Sequence, residues 1–140
     1  PEDRWHDPYM SAGELQGQID EGVEFWCSDD DEFIQGVMGI QDRGEVTLIR
    51  HAYIRSSMRN RGIGGELLTF LMRLTDKPVL IGTWAAAGWA VRFYKKYGFE
   101  PVPEGEKDRL LMRYWNIPLR QIETSVVLGD DEWQRQSDER

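Results

Sequence analysis

The sequence has few of the residues on which several classes of protein depend. Its 140 residues include one cysteine, Cys27, so the chain can form no internal disulfide and no cysteine-rich metal site. No run approaches the roughly 18 apolar residues of a membrane-spanning helix, and no signal-like apolar segment opens the chain. These absences predict a protein of the cytoplasm that is not embedded in a membrane.

Basic residues are also scarce. Lys and Arg total 17 against 25 Asp and Glu, which gives a net charge of −8. That excess disfavours nucleic-acid binding, because such binding depends on basic side chains that neutralise phosphates. Hydrophobic residues make up 40% and charged residues 30%, which is typical of a folded domain rather than of a disordered chain.

The first part of the chain has the pattern of one helix and three strands. Ser11 and Glu14 fit a capping box that opens a helix, and Gly22 is a suitable end for it. Three segments rich in β-branched and aromatic residues follow, with turn residues between them. Their close spacing predicts an antiparallel meander at 23–27, 33–41 and 45–54.

The hydrophobic period then changes. The pattern predicts helix, strand, helix, helix and strand, at 67–74, 79–83, 89–97, 106–115 and 122–128. A strand–helix–strand connection implies a parallel pair with a right-handed crossover. We therefore expect an α/β fold with a mixed sheet over residues 1–128, in which a meander continues into a βαβα unit.

The last twelve residues have no apolar pattern. Residues 129–140 contain five acidic and two basic side chains. This composition predicts a solvated acidic tail, in which Trp133 is a candidate anchor to a partner.

Three glycines lie where the third strand ends and the next helix begins: Gly62, Gly64 and Gly65. Such a turn aims unpaired backbone N–H groups outward, and the helix dipole adds partial positive charge. Residues 43–61 contain five arginines and one acid, a local charge of +4 in an acidic chain. A polyanionic cofactor fits this turn, although a plain glycine turn with exposed arginines would look the same. The patterns of a nucleotide P-loop and of a dinucleotide site are both missing.

Two motifs carry a resemblance to a known family. Arg59-Asn60-Arg61-Gly62-Ile63-Gly64 resembles the Arg/Gln-x-x-Gly-x-Gly/Ala signature of the GNAT superfamily of acyl-CoA-dependent N-acyltransferases. Residues 90–99, Ala-Val-Arg-Phe-Tyr-Lys-Lys-Tyr-Gly-Phe, resemble the Ala-x-x-Phe-Tyr-x-x-x-Gly-Phe of the family's fourth helix. Both fall at the right places in the predicted order of elements, and the resemblance covers roughly residues 11–128.

The resemblance implies an N-acetyltransferase that uses acetyl-CoA, and it implies where coenzyme A would bind. The glycine turn would bind the pyrophosphate through its backbone, the end of the preceding strand would pair with the pantetheine arm, and a helix aromatic would pack beside them. The cofactor-binding residues so implied are Tyr53, Ile54, Arg55, Arg59, Asn60, Arg61, Gly62, Ile63, Gly64, Gly65 and Phe93.

The resemblance also points to Tyr94 as the general acid that protonates the departing thiolate, with a packed core aromatic as the alternative. The general base is harder to place. If Ile54 marks the cofactor side of its strand, alternation puts Arg50 on the same face and His51 on the opposite one. A β-bulge could reverse that order, so His51 is the candidate base. A hydrogen-bonded histidine under a helix and a chain of waters are the alternatives.

Some features depart from the family or leave the substrate open. Ala87 stands where many relatives have asparagine, and only ten residues precede Ser11, so we expect the family's first strand and helix to be missing. Residues 14–32 contain eight acids and no basic residue, which favours a cationic amine acceptor or is simply a solvated surface. Trp84 and Trp89 either shape the acyl pocket or only pack.

Two further points concern the class of function. Cys27 lies on an early predicted strand, which disfavours a covalent acyl-cysteine route. The missing obvious base leaves a non-catalytic acyl-CoA-binding or sensing module as the alternative function. A homodimer is compatible with either.

Overall fold

The computed structural model describes residues 12–29, 34–54, 62–84, 88–115 and 125–138. The helices are α1 (Ala12–Asp20), α2 (Ile63–Met72), α3 (Gly88–Lys96), α4 (Glu104–Leu110) and α5 (Asp131–Asp138), and a π-helical turn, Leu111–Trp115, continues α4. The strands are β1 (Val23–Asp29), β2 (Ile34–Asp42), β3 (Thr47–Ile54), β4 (Val79–Trp84), β5 (Glu100–Pro101) and β6 (Ser125–Gly129). No helix in these ranges is long and apolar enough to cross a membrane.

The strands form one mixed sheet in the order β1-β2-β3-β4-β6-β5. β1 and β2 are antiparallel, β3 and β4 are parallel, and β6 is antiparallel to both β4 and β5. The predicted α/β class is confirmed, and the predicted elements are present with shifted ends. The two-residue β5, the π-helical turn and α5 were not expected. The predicted cap Ser11, Ala87 and the start of the last predicted strand lie outside the described residues.

The chain forms two compact units and passes between them after residues 42, 49 and 75, the second of these points lying within β3. The first unit comprises residues 1–42 and 50–75, and the second comprises 43–49 and 76–140. In the first unit, α1 and α2 contact the β1–β2 pair. α2 buries an apolar face made of Ile63, Leu67, Leu68 and Leu71. These side chains follow the helical spacing that the sequence predicts.

The second unit is built on the parallel pairing of β3 with β4. Thr47, Leu48 and Ile49 pair with Val79, Leu80 and Ile81, and all six residues are buried. Around them lies a core cluster to which α4, the π-helical turn, β6 and α5 also contribute: Val46, Leu48, Leu80, Leu110, Leu111, Tyr114, Val127 and Trp133. Each large apolar side chain buried in this way contributes roughly 1.5–3 kcal/mol to folding.

The prediction of a solvated tail after residue 128 is wrong for the described residues. Gly129 completes β6, α5 follows, and Trp133 is 4% exposed within the unit's own core rather than free to bind a partner. A Cβ atom on Gly129 would overlap the Trp133 ring, so the glycine lets the indole lie against the strand. The sequence shows no hydrophobic period for α5 because a single large apolar side chain, Trp133, anchors this helix. The acidic run from Asp130 is nonetheless a helix-start signal.

Asp130 connects this helix to β4. Its Oδ1 atom accepts hydrogen bonds from the backbone N–H groups of Trp133 at 3.0 Å and Val79 at 3.1 Å. Its own N–H donates to the Val79 carbonyl at 3.0 Å. Burial raises the pKa of Asp130 above its ordinary 3.8, while the hydrogen bonds from Trp133 and Val79 oppose the rise. Asp130 thus caps α5 and satisfies a donor at the start of β4.

We predict that Asp130→Ala destabilises the chain by about 2–4 kcal/mol, because it removes a helix cap and leaves two backbone donors without their acceptor. Asp130→Asn is the matched control, since its side-chain oxygen can still accept from both donors. Urea unfolding at pH 7 measures the difference. Equal losses in the two variants would contradict the proposed role of the acceptor oxygen.

A comparison of Asp130→Asn with wild type tests the titration of Asp130. Because its pKa is raised in the folded state, Asp130 contributes stability below its ordinary pKa of 3.8 that is lost as the pH rises through the raised value. The free energy of unfolding of Asp130→Asn relative to wild type should therefore increase as the pH rises through this window. A difference that does not change with pH would show that burial leaves the carboxyl unaffected.

Candidate functional site

The glycine turn begins α2 in an open conformation. Gly62 is the N-cap residue with φ +81°, a left-handed value that favours glycine, and its carbonyl accepts from the Glu66 N–H at 2.9 Å. A Cβ atom at Gly62 would meet no atom of the described residues within 4 Å. Because Gly62 has no side chain, it donates no capping hydrogen-bond acceptor to the first N–H groups of α2.

These features fit a phosphate group. α2 has ten residues, so its N-terminus carries a useful partial positive charge next to an open glycine turn. Within its first turn Ile63 and Gly65 are buried, whereas Gly64 is partly exposed. The four flanking residues of the predicted site, Arg55, Arg59, Asn60 and Arg61, lie outside the described residues.

Ile54 packs beside the glycine turn. A Cβ atom on Gly36 of β2 would lie 2.6 Å from Ile54 Cδ1, 3.1 Å from Ile63 Cγ2 and 3.3 Å from Leu67 Cδ1. Gly36 therefore leaves the space in which Ile54 of β3 meets α2. The structure brings together two predicted cofactor-binding residues, Ile54 and Ile63, while Tyr53 is half-buried next to them.

His51 has an uncommon backbone and a defined set of neighbours. It has φ +55°, the one positive value at a non-glycine position among the described residues. Its Nε2 atom lies 3.0 Å from Gln18 Oε1 on α1, and its ring centroid lies 5.9 Å from that of Phe25. Burial, and secondarily the charge of Arg50, lower the pKa of His51 from 6.5 to about 4. The imidazole is therefore neutral at physiological pH.

The left-handed backbone at His51 breaks the alternation of β3. Arg50 donates to Gln41 Oε1 at 3.1 Å, and Gln41 lies on the same face of β1–β2 as Phe25, which contacts His51. Two consecutive side chains thus bind one face, as expected at a β-bulge. Arg50 and His51 both lie on the face opposite Ile54, so the face predicted for Arg50 is wrong and the bulge does not bring His51 to the side of Ile54.

Tyr94 lies in the second unit, on α3. It is 6% exposed, and its ring contacts those of Phe93 and Phe99 at centroid distances of 5.2 and 6.0 Å. Phe93, which is half-buried, also contacts Tyr97 at 5.1 Å. Gly98, with φ +93°, follows α3 as predicted. These ring contacts hold the Tyr94 side chain in place, which is compatible with a packing role and with a catalytic role.

The structure gives no support to Trp84 and Trp89 as residues that shape an acyl pocket. Trp89 is 62% exposed, and the side chain of Trp84 lies outside the described residues. The second unit instead has a cavity of about 430 Å³ that no sequence motif marks. Its lining residues are Glu45, Val46, Arg109, Leu110, Arg113, Tyr114, Trp133 and Gln136. Glu45 accepts hydrogen bonds from Arg113 at 2.8 Å and from the Tyr114 hydroxyl at 3.2 Å. These bonds join three of the lining residues to one another.

A family comparison identifies the class of protein. The sequence model described as the acetyltransferase (GNAT) domain matches residues 2–113. The chain therefore belongs to the GNAT acetyltransferases, enzymes whose acyl donor is acetyl-CoA. No curated protein sequence matches the chain.

Several solved structures share the fold. A GNAT family acetyltransferase from Elizabethkingia anophelis with acetyl-CoA bound is 20% identical over 89% of this chain and 84% of that one, with a TM-score of 0.64. The IAA acetyltransferase from Bacillus cereus is 16% identical over 89% and 85%, with a TM-score of 0.65. The PaiA N-acetyltransferase from Thermoplasma acidophilum in complex with coenzyme A is 12% identical over 83% and 65%, with a TM-score of 0.60.

We predict that His51 titrates near pH 4 rather than near 6.5, because its ring is desolvated and lies close to Arg50. A ¹H–¹⁵N NMR titration of the two histidines measures this, with His6→Gln assigning the signals. The lowered pKa means that His51 contributes stability above pH 6.5 that is lost as the pH falls towards 4. An ordinary midpoint for His51 would contradict the burial of its ring.

Proposed function

We propose that the chain transfers an acetyl group from acetyl-CoA to a primary amine, by direct attack of the amine on the thioester. The observation that carries the proposal is the open, glycine-capped start of α2 at Gly62, in a chain that belongs to the GNAT acetyltransferases. Solved relatives of the same fold contain acetyl-CoA or coenzyme A, which supports the same donor here.

The chain's residues have distinct roles in holding the donor. The N–H groups from Asn60 through Gly65 hold the pyrophosphate, and Arg59 and Arg61 add positive charge. The backbone of Tyr53, Ile54 and Arg55 pairs with the pantetheine arm. Acetyl-CoA supplies an acetyl group activated as a thioester.

Two protons must move during the reaction. As the new nitrogen–carbon bond forms, the amine nitrogen loses a proton to a general base, for which the neutral imidazole of His51 is the candidate and a chain of waters is the alternative. As the carbon–sulfur bond breaks, the sulfur receives a proton from the Tyr94 hydroxyl. The base loses its proton to water and Tyr94 regains one from water, so the products are the N-acetyl amine and coenzyme A with its free thiol. Cys27 takes no part in this route, because the attack is direct.

The charge of the first unit favours a cationic acceptor. Glu14, Asp20, Glu21, Glu24 and Asp29 are all exposed on or near α1 and β1. Their negative potential would raise the local concentration of a positively charged amine. A polyamine or another amine with a second positive charge is therefore the favoured substrate class.

We predict that Tyr94→Phe lowers kcat by roughly 100- to 10,000-fold, the range typical of a lost general acid. Coenzyme A affinity, measured by calorimetry, should stay unchanged because the ring remains. Tyr97→Phe is the matched control, since Tyr97 lies one turn further along and contacts the same Phe93 ring. A Tyr94→Phe enzyme as active as the control would assign Tyr94 to packing alone.

A second prediction concerns the acceptor. In an acetyl-CoA assay against polyamines, amino acids, aminoglycosides and peptide N-termini, cationic amines should give the highest kcat/KM. Their advantage should shrink as salt rises, because salt screens exposed charges. A preference for hydrophobic amines would contradict the acidic-surface argument. Coenzyme A binding without turnover of any amine would instead favour the sensing module.

A further inference from the structure

The cavity of the second unit is not used by the proposed reaction. It has a volume of about 430 Å³ and is bounded by the segment that leads into β3, by α4 with its π-helical turn, and by α5. That volume lies within the range of roughly 300–1,000 Å³ that is usual for sites of small molecules. All of its lining residues belong to the second unit, and none has a role in the proposed acetyl transfer.

The floor of the cavity is apolar. Val46, Leu110, Tyr114 and Trp133 line it, and each is 2–6% exposed because it also belongs to the core of the unit. Two of these four residues are aromatic. Such a floor favours a flat, apolar group as the body of a ligand, since aromatic side chains supply large and rigid contact surfaces.

The rim of the cavity is charged and offers more hydrogen-bond donors than acceptors. Among the described residues, Arg109 donates to Glu106 at 3.2 Å and Arg113 donates to Glu45 at 2.8 Å. A guanidinium has five N–H groups, so each arginine retains donors after its recorded bond. Both oxygens of Glu45 already accept a bond from a lining residue, Arg113 or Tyr114. The rim therefore suits a group that accepts hydrogen bonds and carries negative charge.

Arg113 is held in place before any ligand binds. Glu45 accepts from its terminal nitrogen, and its guanidinium carbon lies 5.2 Å from the centroid of the Tyr114 ring. The Tyr114 hydroxyl donates to the other oxygen of Glu45 at 3.2 Å, which closes the set of contacts. An arginine oriented in this way loses less freedom on binding, and its planar fork matches the two oxygens of a carboxylate.

The helix at the cavity is distorted. Arg109 and Leu110 end α4, whereas Arg113 and Tyr114 lie four residues further on, in the π-helical turn Leu111–Trp115. Residues four apart share one side of a helix, so all four can line one cavity. Single π-helical turns are rare and are frequent at functional sites. The distortion is an observation independent of the cavity's volume, and it points to the same place.

We propose that this cavity is a second ligand site, which binds a small molecule with an aromatic body and one carboxylate. The body lies on the apolar floor, and the carboxylate accepts hydrogen bonds from Arg113 and Arg109. The exposed ion pairs of the two arginines contribute little to stability, so they rearrange readily around the ligand. The site shares no residue with the proposed acetyl-CoA site, so it does not depend on the proposed function.

The test uses two probes that differ in charge. 3-Phenylpropionate and 3-phenylpropylamine have the same ring and a similar chain, but the first ends in a carboxylate and the second in an ammonium group. Arg113→Gln removes one positive charge from the rim, and Arg109→Gln removes the other. Arg135→Gln is the matched control, because Arg135 is an exposed arginine that pairs within α5, with Glu132, and does not line the cavity.

The measurement is a titration of the ¹⁵N-labelled chain, followed in its assigned ¹H–¹⁵N spectrum. In wild type, 3-phenylpropionate should give saturable shifts of the amides of Val46, Leu110, Tyr114 and Trp133, with a Kd on the order of 1 mM. Arg113→Gln and Arg109→Gln should each raise that Kd by about tenfold, the loss expected for a hydrogen bond between charged groups. Arg135→Gln should leave it unchanged, and the amine should bind at least about tenfold more weakly.

The other outcomes would overturn the proposal. If 3-phenylpropionate shifts none of the lining residues up to its solubility limit, the cavity is not a site for this class of ligand. Shifts confined to the residues around Gly62 or Tyr94 would place the probe in the proposed acetyl-CoA site instead. Equal or tighter binding of the amine, or a Kd that neither arginine variant changes, would show that the rim does not select a carboxylate. Amides far from the cavity report whether each variant is folded.

Discussion

The parallel pairing of β3 with β4 is the constraint on which the second unit depends. Thr47 to Ile49 and Val79 to Ile81 are 0–3% exposed, which requires cover on both faces of these strands. That requirement explains why distant segments supply the cover: the α4 region, β6 and α5 all add side chains to one cluster. It also explains the buried carboxyl of Asp130, which satisfies the backbone N–H at the start of β4 and the first turn of α5 with one oxygen.

β3 changes character as it leaves that core. Up to Ile49 its residues are buried in a regular ladder, and from Arg50 it is held by polar contacts instead. The left-handed backbone of His51 turns two neighbouring side chains to one face, where Gln41 and Gln18 bind them. Three residues later Ile54 packs on the other face, over Gly36 and against α2. Within four residues the strand therefore presents side chains to both of its faces, His51 to one and Ile54 to the other.

Much of this arrangement was predictable from local pattern. The five longer strands, α2, α3 and the glycine turn each follow from spacing within about ten residues, which is the scale on which hydrophobic period and capping act. The paired motifs predicted the family that the comparison then identified. The predictions that were wrong concerned features that depend on single long-range contacts. Trp133 anchors α5 to a distant core, and Arg50 follows a bulge instead of strand parity. Leu15 and Ile19 share a helix face that the fold leaves exposed.

The sequence by itself determined the class of fold and the family, because each depends on residue types at short, fixed spacings. Only the tertiary structure decided that residues 131–138 form a helix anchored in the core, that Gln18 rather than Leu15 faces the sheet, and that the half-buried His51 has a lowered pKa. The reason is physical. Burial, tautomer and pKa depend on which groups lie within a few ångströms, and in a folded chain those groups come from segments far apart in sequence.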